Sequence, residues 1–91
     1  MSKTLHFIDA SKIIQDCVAV KVQDWDGALI YPADLDDGGF EIVDYEQDRS
    51  AQFSNLKSKV KREDFEGGFS LTFTDDDGEK FKLIPLGYFK A

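Results

Sequence analysis

Between residues 69 and 83 apolar side chains recur at every second position. Phe69, Leu71 and Phe73 alternate with Ser70, Thr72 and Thr74, and Phe81 and Leu83 alternate with Lys80 and Lys82. A period of two is that of an extended strand, whose successive side chains leave opposite faces; a helix instead needs apolar residues three and four apart. Asp75-Asp76-Asp77-Gly78 separates the two runs with turn residues. The segment therefore reads as an antiparallel hairpin with one apolar face.

The same period appears earlier in the chain. Val18, Val20 and Val22 alternate with Ala19, Lys21 and Gln23, which predicts a half-buried strand. Asp26-Gly27 is favoured as a two-residue hairpin turn, and residues 28–31 return beside that strand until Pro32 ends the run. The side-chain phases match imperfectly, which leaves room for a bulge or a longer loop. Residues 34–39 are turn-forming, and residues 40–46 predict a third strand. Asp9-Ala10-Ser11 offers capping groups ahead of a short helix over residues 10–16. Residues 50–62 read both ways. Phe53, Leu56 and Val60 fall at helical spacing, yet residues 56–61 alternate as a strand with Lys57, Lys59 and Lys61 on one face. Strand character is expected toward residue 60, because Ser, Asn and Val are indifferent helix formers. Residues 84–89 are expected to pack as a tail over the core, with Pro85 placed where a strand has a free side or an end.

The expected architecture is α+β, a mainly antiparallel sheet with one or two short helices, the second around residues 50–58. A small all-β barrel is the alternative. A chain of 91 residues suits a single domain over residues 1–91. The expected core is Val18, Val20, Val22, Ile30, Ile42, Phe69, Leu71, Phe73, Phe81 and Leu83. With 42% hydrophobic residues and eight Phe, the chain is too rich in core material for a disordered acidic tail.

Charge limits the partners. Residues 1–50 hold eleven acids against four bases, whereas residues 51–91 hold seven of each, so the net charge of −7 lies in the first half. Such a field repels nucleic acid and anionic lipid and attracts basic partners. Asp44, Glu46 and Asp48 recur at every second position, and on an extended strand they form a row of charges about 6.8 Å apart. With Asp24, Asp26, Asp34, Asp36 and Asp37 from neighbouring turns, the row becomes a negative surface able to imitate the charge density of a nucleic acid. These eight residues are the expected partner-binding set.

Catalytic and metal-binding chemistry finds little support. His6 is the only histidine and sits in an apolar run, where a structural role in a strand is expected, and no nucleophile has a base beside it in sequence. Cys17 has no Lys or Arg within three positions to lower its pKa and is expected to pack as a small hydrophobe. A lone cysteine allows no internal disulfide. Residues 34–39 share the first, third and sixth positions of an EF-hand loop, but Gly38 stands at the fifth and Tyr45 at the twelfth, so no calcium site is expected. Asp75, Asp76 and Asp77 are read as turn residues rather than ion ligands. Gly67-Gly68 lacks the lysine and hydroxyl of a phosphate loop. Lys57, Lys59, Lys61 and Arg62 form a basic cluster nearly cancelled by Glu63, Asp64 and Glu66, and lysines protecting an edge strand are the expected reading.

The expected function is that of a small acidic, noncatalytic binding protein. It docks on a basic surface of a larger protein, in the narrower form as an inhibitor or nucleic-acid mimic acting on a nucleic-acid-binding protein. No cofactor, no metal and no direct contact with nucleic acid or membrane is expected, and self-association is compatible with this reading. The alternative is a structural or assembly subunit that pairs through exposed sheet edges, with residues 18–23 or the strand near Val60 as the edge. A third class, a small carboxylate hydrolase, lacks a positioned acid and base pair. No apolar signal core follows Met1-Ser2-Lys3-Thr4 and no run reaches membrane-spanning length, so a soluble cytoplasmic protein is expected.

Overall fold

A computed structural model describes residues 2–35 and 38–88. The elements in chain order are β1 (Ser2–His6), α1 (Phe7–Gln15), β2 (Cys17–Val22), a 3₁₀ turn (Gln23–Trp25), β3 (Ala28–Ile30), β4 (Ala33–Asp34), β5 (Phe40–Asp44), β6 (Arg49–Phe53), β7 (Lys59–Phe65), β8 (Gly68–Thr74) and β9 (Lys80–Tyr88). The strands form two antiparallel sheets, one ordered β1-β7-β8-β9-β2-β3 and one ordered β4-β5-β6. The sheets do not close into a barrel.

The β8–β9 hairpin follows the alternation in its sequence, with Leu71 opposite Leu83 and Phe73 opposite Phe81, all four buried. Its turn is held by Asp75, whose Oδ1 accepts the backbone N–H groups of Asp77 (3.0 Å) and Glu79 (2.7 Å). Asp76 accepts from the Ser54 N–H and hydroxyl, tying the turn to the end of β6. β9 changes partner at Leu83, which faces Leu71 of β8 on one side and Val22 of β2 on the other. Pro85 lies beyond that point, opposite Val20 and past the stretch of β9 paired with β8. A residue without an N–H is accommodated there because one side of the strand has left its ladder.

One core joins both sheets and the helix. Phe40 stacks on Phe53 at 4.8 Å and meets Phe73 edge-on at 4.9 Å, while Phe53 meets Phe81, and Phe81 meets Trp25 at 5.5 Å. Phe7 brings α1 into this cluster against Phe40 and Phe73. Offset-stacked and edge-on rings at such distances add to the burial of their large apolar surfaces.

Several sequence expectations need correction. The helix begins at Phe7 rather than near residue 10, because Phe7, Ala10, Ser11 and Ile14 together make one buried stripe. Residues 50–58 hold no helix; Ala51 and Phe53 are buried at a period of two and lie opposite Ile42 and Phe40 in β6. The loop after β2 is longer than two residues: the 3₁₀ turn precedes Asp26 and Gly27, both at positive φ, and Val22 pairs with Ala28. Val18 is 47% exposed, since the buried face of β2 changes along the strand, from Cys17 and Ala19 at its start to Val20 and Val22 at its end. Phe69 is half-buried, with Arg62 stacked 3.9 Å above its ring. The other expected core residues are buried. β2 and β7 are interior strands, so neither is an edge and the lysines of β7 do not protect one; the ends of the large sheet are β1 and β3.

Candidate functional site

A hollow of about 710 Å³ lies between β3 and the end of β5. One side is formed by Ala28, Leu29, Ile30 and Tyr31, the other by residues 43–47, with Trp25, Asp26 and Arg49 completing it. Leu29, Tyr31 and Tyr45 are 62, 75 and 89% exposed. Large apolar and aromatic side chains gathered in one exposed concavity with a few charged groups are the composition of a binding surface.

The far wall is built by the β5–β6 hairpin. Phe40, Ile42 and Asp44 share the buried face of β5, opposite Phe53, Ala51 and Arg49 of β6. Apolar pairs thus give way to an ion pair at the open end. Asp44 Oδ2 accepts from Arg49 Nε at 3.1 Å, and Asp44 Oδ1 accepts the backbone N–H groups of Glu46 (3.2 Å) and Gln47 (3.3 Å). The guanidinium lies 4.9 Å from the centre of the Trp25 ring and donates to the Trp25 carbonyl. These contacts fasten the hairpin to the 3₁₀ turn and position Tyr45, Glu46 and Asp48, all exposed.

The row expected from Asp44, Glu46 and Asp48 does not form. β5 ends at Asp44, residues 45–48 are a turn, and Asp48 has φ of 53°. Asp44 favours the turn over continued strand because its carboxylate satisfies N–H groups two and three residues ahead. It is 7% exposed and both its carboxylate oxygens are engaged, so it positions the wall. Asp24 accepts the Lys82 N–H at 2.7 Å and joins the 3₁₀ turn to β9. Asp34 lies exposed on β4, away from the groove lining. Asp36 and Asp37 are outside the described residues. Asp26, Asp44 and Glu46 come together in the groove, and Asp48 lines a smaller hollow beside it with Asp44, Tyr45 and Arg49. Sequence reasoning missed Trp25, Leu29, Tyr31, Tyr45 and Arg49; an aromatic directly between Asp44 and Glu46 was the available signal.

Elsewhere the titratable groups have structural surroundings. Cys17 is buried, its Sγ donates to the Ile13 carbonyl at 2.9 Å, and its thiol is pushed up to about 11 by burial first and by neighbouring Asp16 second, against a lowering backbone contact with Leu86. His6 ends β1 exposed, its Nδ1 2.9 Å from Lys59 Nζ. Arg62 is paired with Asp64, and Lys82 with Glu63. Among the described residues no group of three or more His, Cys, Asp or Glu is placed to hold a metal ion, and no helix is long and apolar enough to cross a membrane. The chain matches no protein-family model, no curated protein and no solved structure.

Proposed function

We propose that this protein is a small acidic, noncatalytic binding protein that docks on a basic surface of a larger protein through the groove between β3 and the β5–β6 turn. The observation that carries the reading is the pairing, in one concavity, of exposed Leu29, Tyr31 and Tyr45 with the carboxylates of Asp26 and Glu46. Aromatic groups supply contact area at modest entropic cost, and the surrounding acids steer a basic partner toward them. Arg49 is engaged by Asp44 and Trp25, so the free charge around the groove is negative. The docking set is accordingly narrower than eight acids: Asp26, Glu46 and Asp48 bind, while Asp24 and Asp44 hold the scaffold. Imitation of a nucleic acid loses its motive with the broken row.

The test is retention of host proteins on the immobilised chain at low and high salt, beside a Glu46→Lys/Asp48→Lys variant. A basic protein held at low salt, released at high salt and not held by the variant supports the reading. Equal retention by both chains at both salts overturns it. Concentration-dependent oligomers with no other protein retained favour an assembly subunit instead.

A further inference from the structure

We infer that the groove receives an extended basic segment of the partner as an added strand on β3. The inference rests on the docking reading above and specifies its mode. Among the described residues β3 is an end of its sheet and pairs only with β2. Alternate residues of an antiparallel strand turn their N–H and C=O groups to opposite sides, so β3 carries a second, unpaired set. The groove touches Ala28, Leu29, Ile30 and Tyr31 in succession. Successive side chains of a strand leave opposite faces, and a hollow reaching all four therefore runs along the edge of β3 rather than over one face. The opposite wall, residues 43–47, leaves an open trough of about 710 Å³ instead of a paired strand.

The faces of β3 define the chemistry of the segment. Ala28 and Ile30 lie on the core side with Val22 and Val20, while Leu29 lies on the outer side opposite Lys21, with Tyr31 two residues further along. An added strand continues both faces. Its apolar residues extend the Ala28–Ile30 side, and the alternating residues lie beside Leu29 and Tyr31. Arg or Lys suits those positions: its aliphatic stem covers Leu29, its cation stacks on a tyrosine ring, and its charge faces Asp26 and Glu46. Lys21 is the one base on this face of β2 and β3; its backbone stands one strand further from the trough and its side chain runs toward Gly27, outside the lining. A second copy of the chain is a poorer occupant, because each copy has net charge −7 and like charges oppose association.

The experiment selects binders from a library of short random peptides displayed against the whole protein. Synthetic versions of the enriched sequence are then N-methylated at alternate amides in either of the two registers. The expected result is enrichment of Arg or Lys at every second position with Val, Ile or Leu between, and a loss of affinity of about tenfold or more in one register of methylation with little change in the other. Equal tolerance of both registers overturns strand addition while leaving docking through side chains intact. Enrichment of the same peptides by an Asp26→Lys/Glu46→Lys variant overturns the docking reading as well. An empty selection, or a dimer of the protein alone that Leu29→Lys dissolves, overturns the basic segment as occupant.

Discussion

Asp44 and Arg49 face one another across the β5–β6 hairpin, joined at 3.1 Å where the apolar pairs of that hairpin end. The carboxylate serves two backbone N–H groups and one guanidinium from a buried position, so its removal leaves three donors without their acceptor. Asp44→Ala is expected to destabilise the protein by roughly 2 to 4 kcal/mol, read from denaturant unfolding. Asp44→Asn keeps one acceptor for the turn and should cost less. A stability unchanged in both variants removes the structural role given to this pair.

Glu46 and Asp48 stand on the same turn with their side chains exposed. Charge reversal of Glu46 is expected to leave the unfolding free energy within the range of ordinary surface substitutions, about 0.5 kcal/mol, while slowing association with a basic partner. The difference in association rate between native and variant chains should shrink as salt rises, since the screening length falls to about 8 Å at physiological ionic strength. Stopped-flow rates over a salt series measure this.

Gly39 packs with no room for a side chain, because a Cβ there meets the carbonyl of Phe53 and stands 3.0 Å from the Ser54 Cα. Both obstacles are backbone, which cannot swing aside. Gly39→Ala is expected to cost about 2 to 4 kcal/mol, measured by thermal or denaturant unfolding.

Cys17 gives the fold a dependence on alkaline pH. Burial holds the proton on its thiol up to about 11, against an ordinary value of 9.0. Between those values the unfolded chain binds fewer protons than the folded one. The stabilisation is therefore complete below about pH 9 and lost as pH rises through about 11. Thermal midpoints from pH 8 to 11 should fall more steeply for the native chain than for Cys17→Ala. In the native state, thiol reagents at pH 8 should react with Cys17 far more slowly than in the denatured chain.

The β8–β9 hairpin was legible because Phe69, Leu71, Phe73, Phe81 and Leu83 keep a strict period and the turn between them has turn chemistry. Residues 50–53 were ambiguous because two apolar residues, Ala51 and Phe53, do not establish a period; their partners Ile42 and Phe40, nine and thirteen positions earlier, decide it. The helix stripe of Phe7, Ala10, Ser11 and Ile14 was present but masked by the apolar run of residues 5–8. At the site, the acids were visible and their arrangement was not. A carboxylate that ends a strand by capping the next turn, as Asp44 does, has the same letter as one that continues it. The groove depends on β3 and β5 approaching from different sheets, which no local pattern encodes.

The exchange of partners along β9 also governs how the chain acquires its shape. β2 is synthesised early, but the strand that pairs along its length is the last of those described, and Leu83 is opposite both Val22 and Leu71. Contacts this distant in sequence must wait for most of the loop between them to close, which slows folding relative to local topologies. Until β9 emerges from the ribosome, Val20, Val22, Leu71 and Phe73 lack the strand that lies between β2 and β8. A nascent chain halted at residue 74 is then a protein with two unfilled strand edges and an acidic surface, kept apart from its copies chiefly by charge.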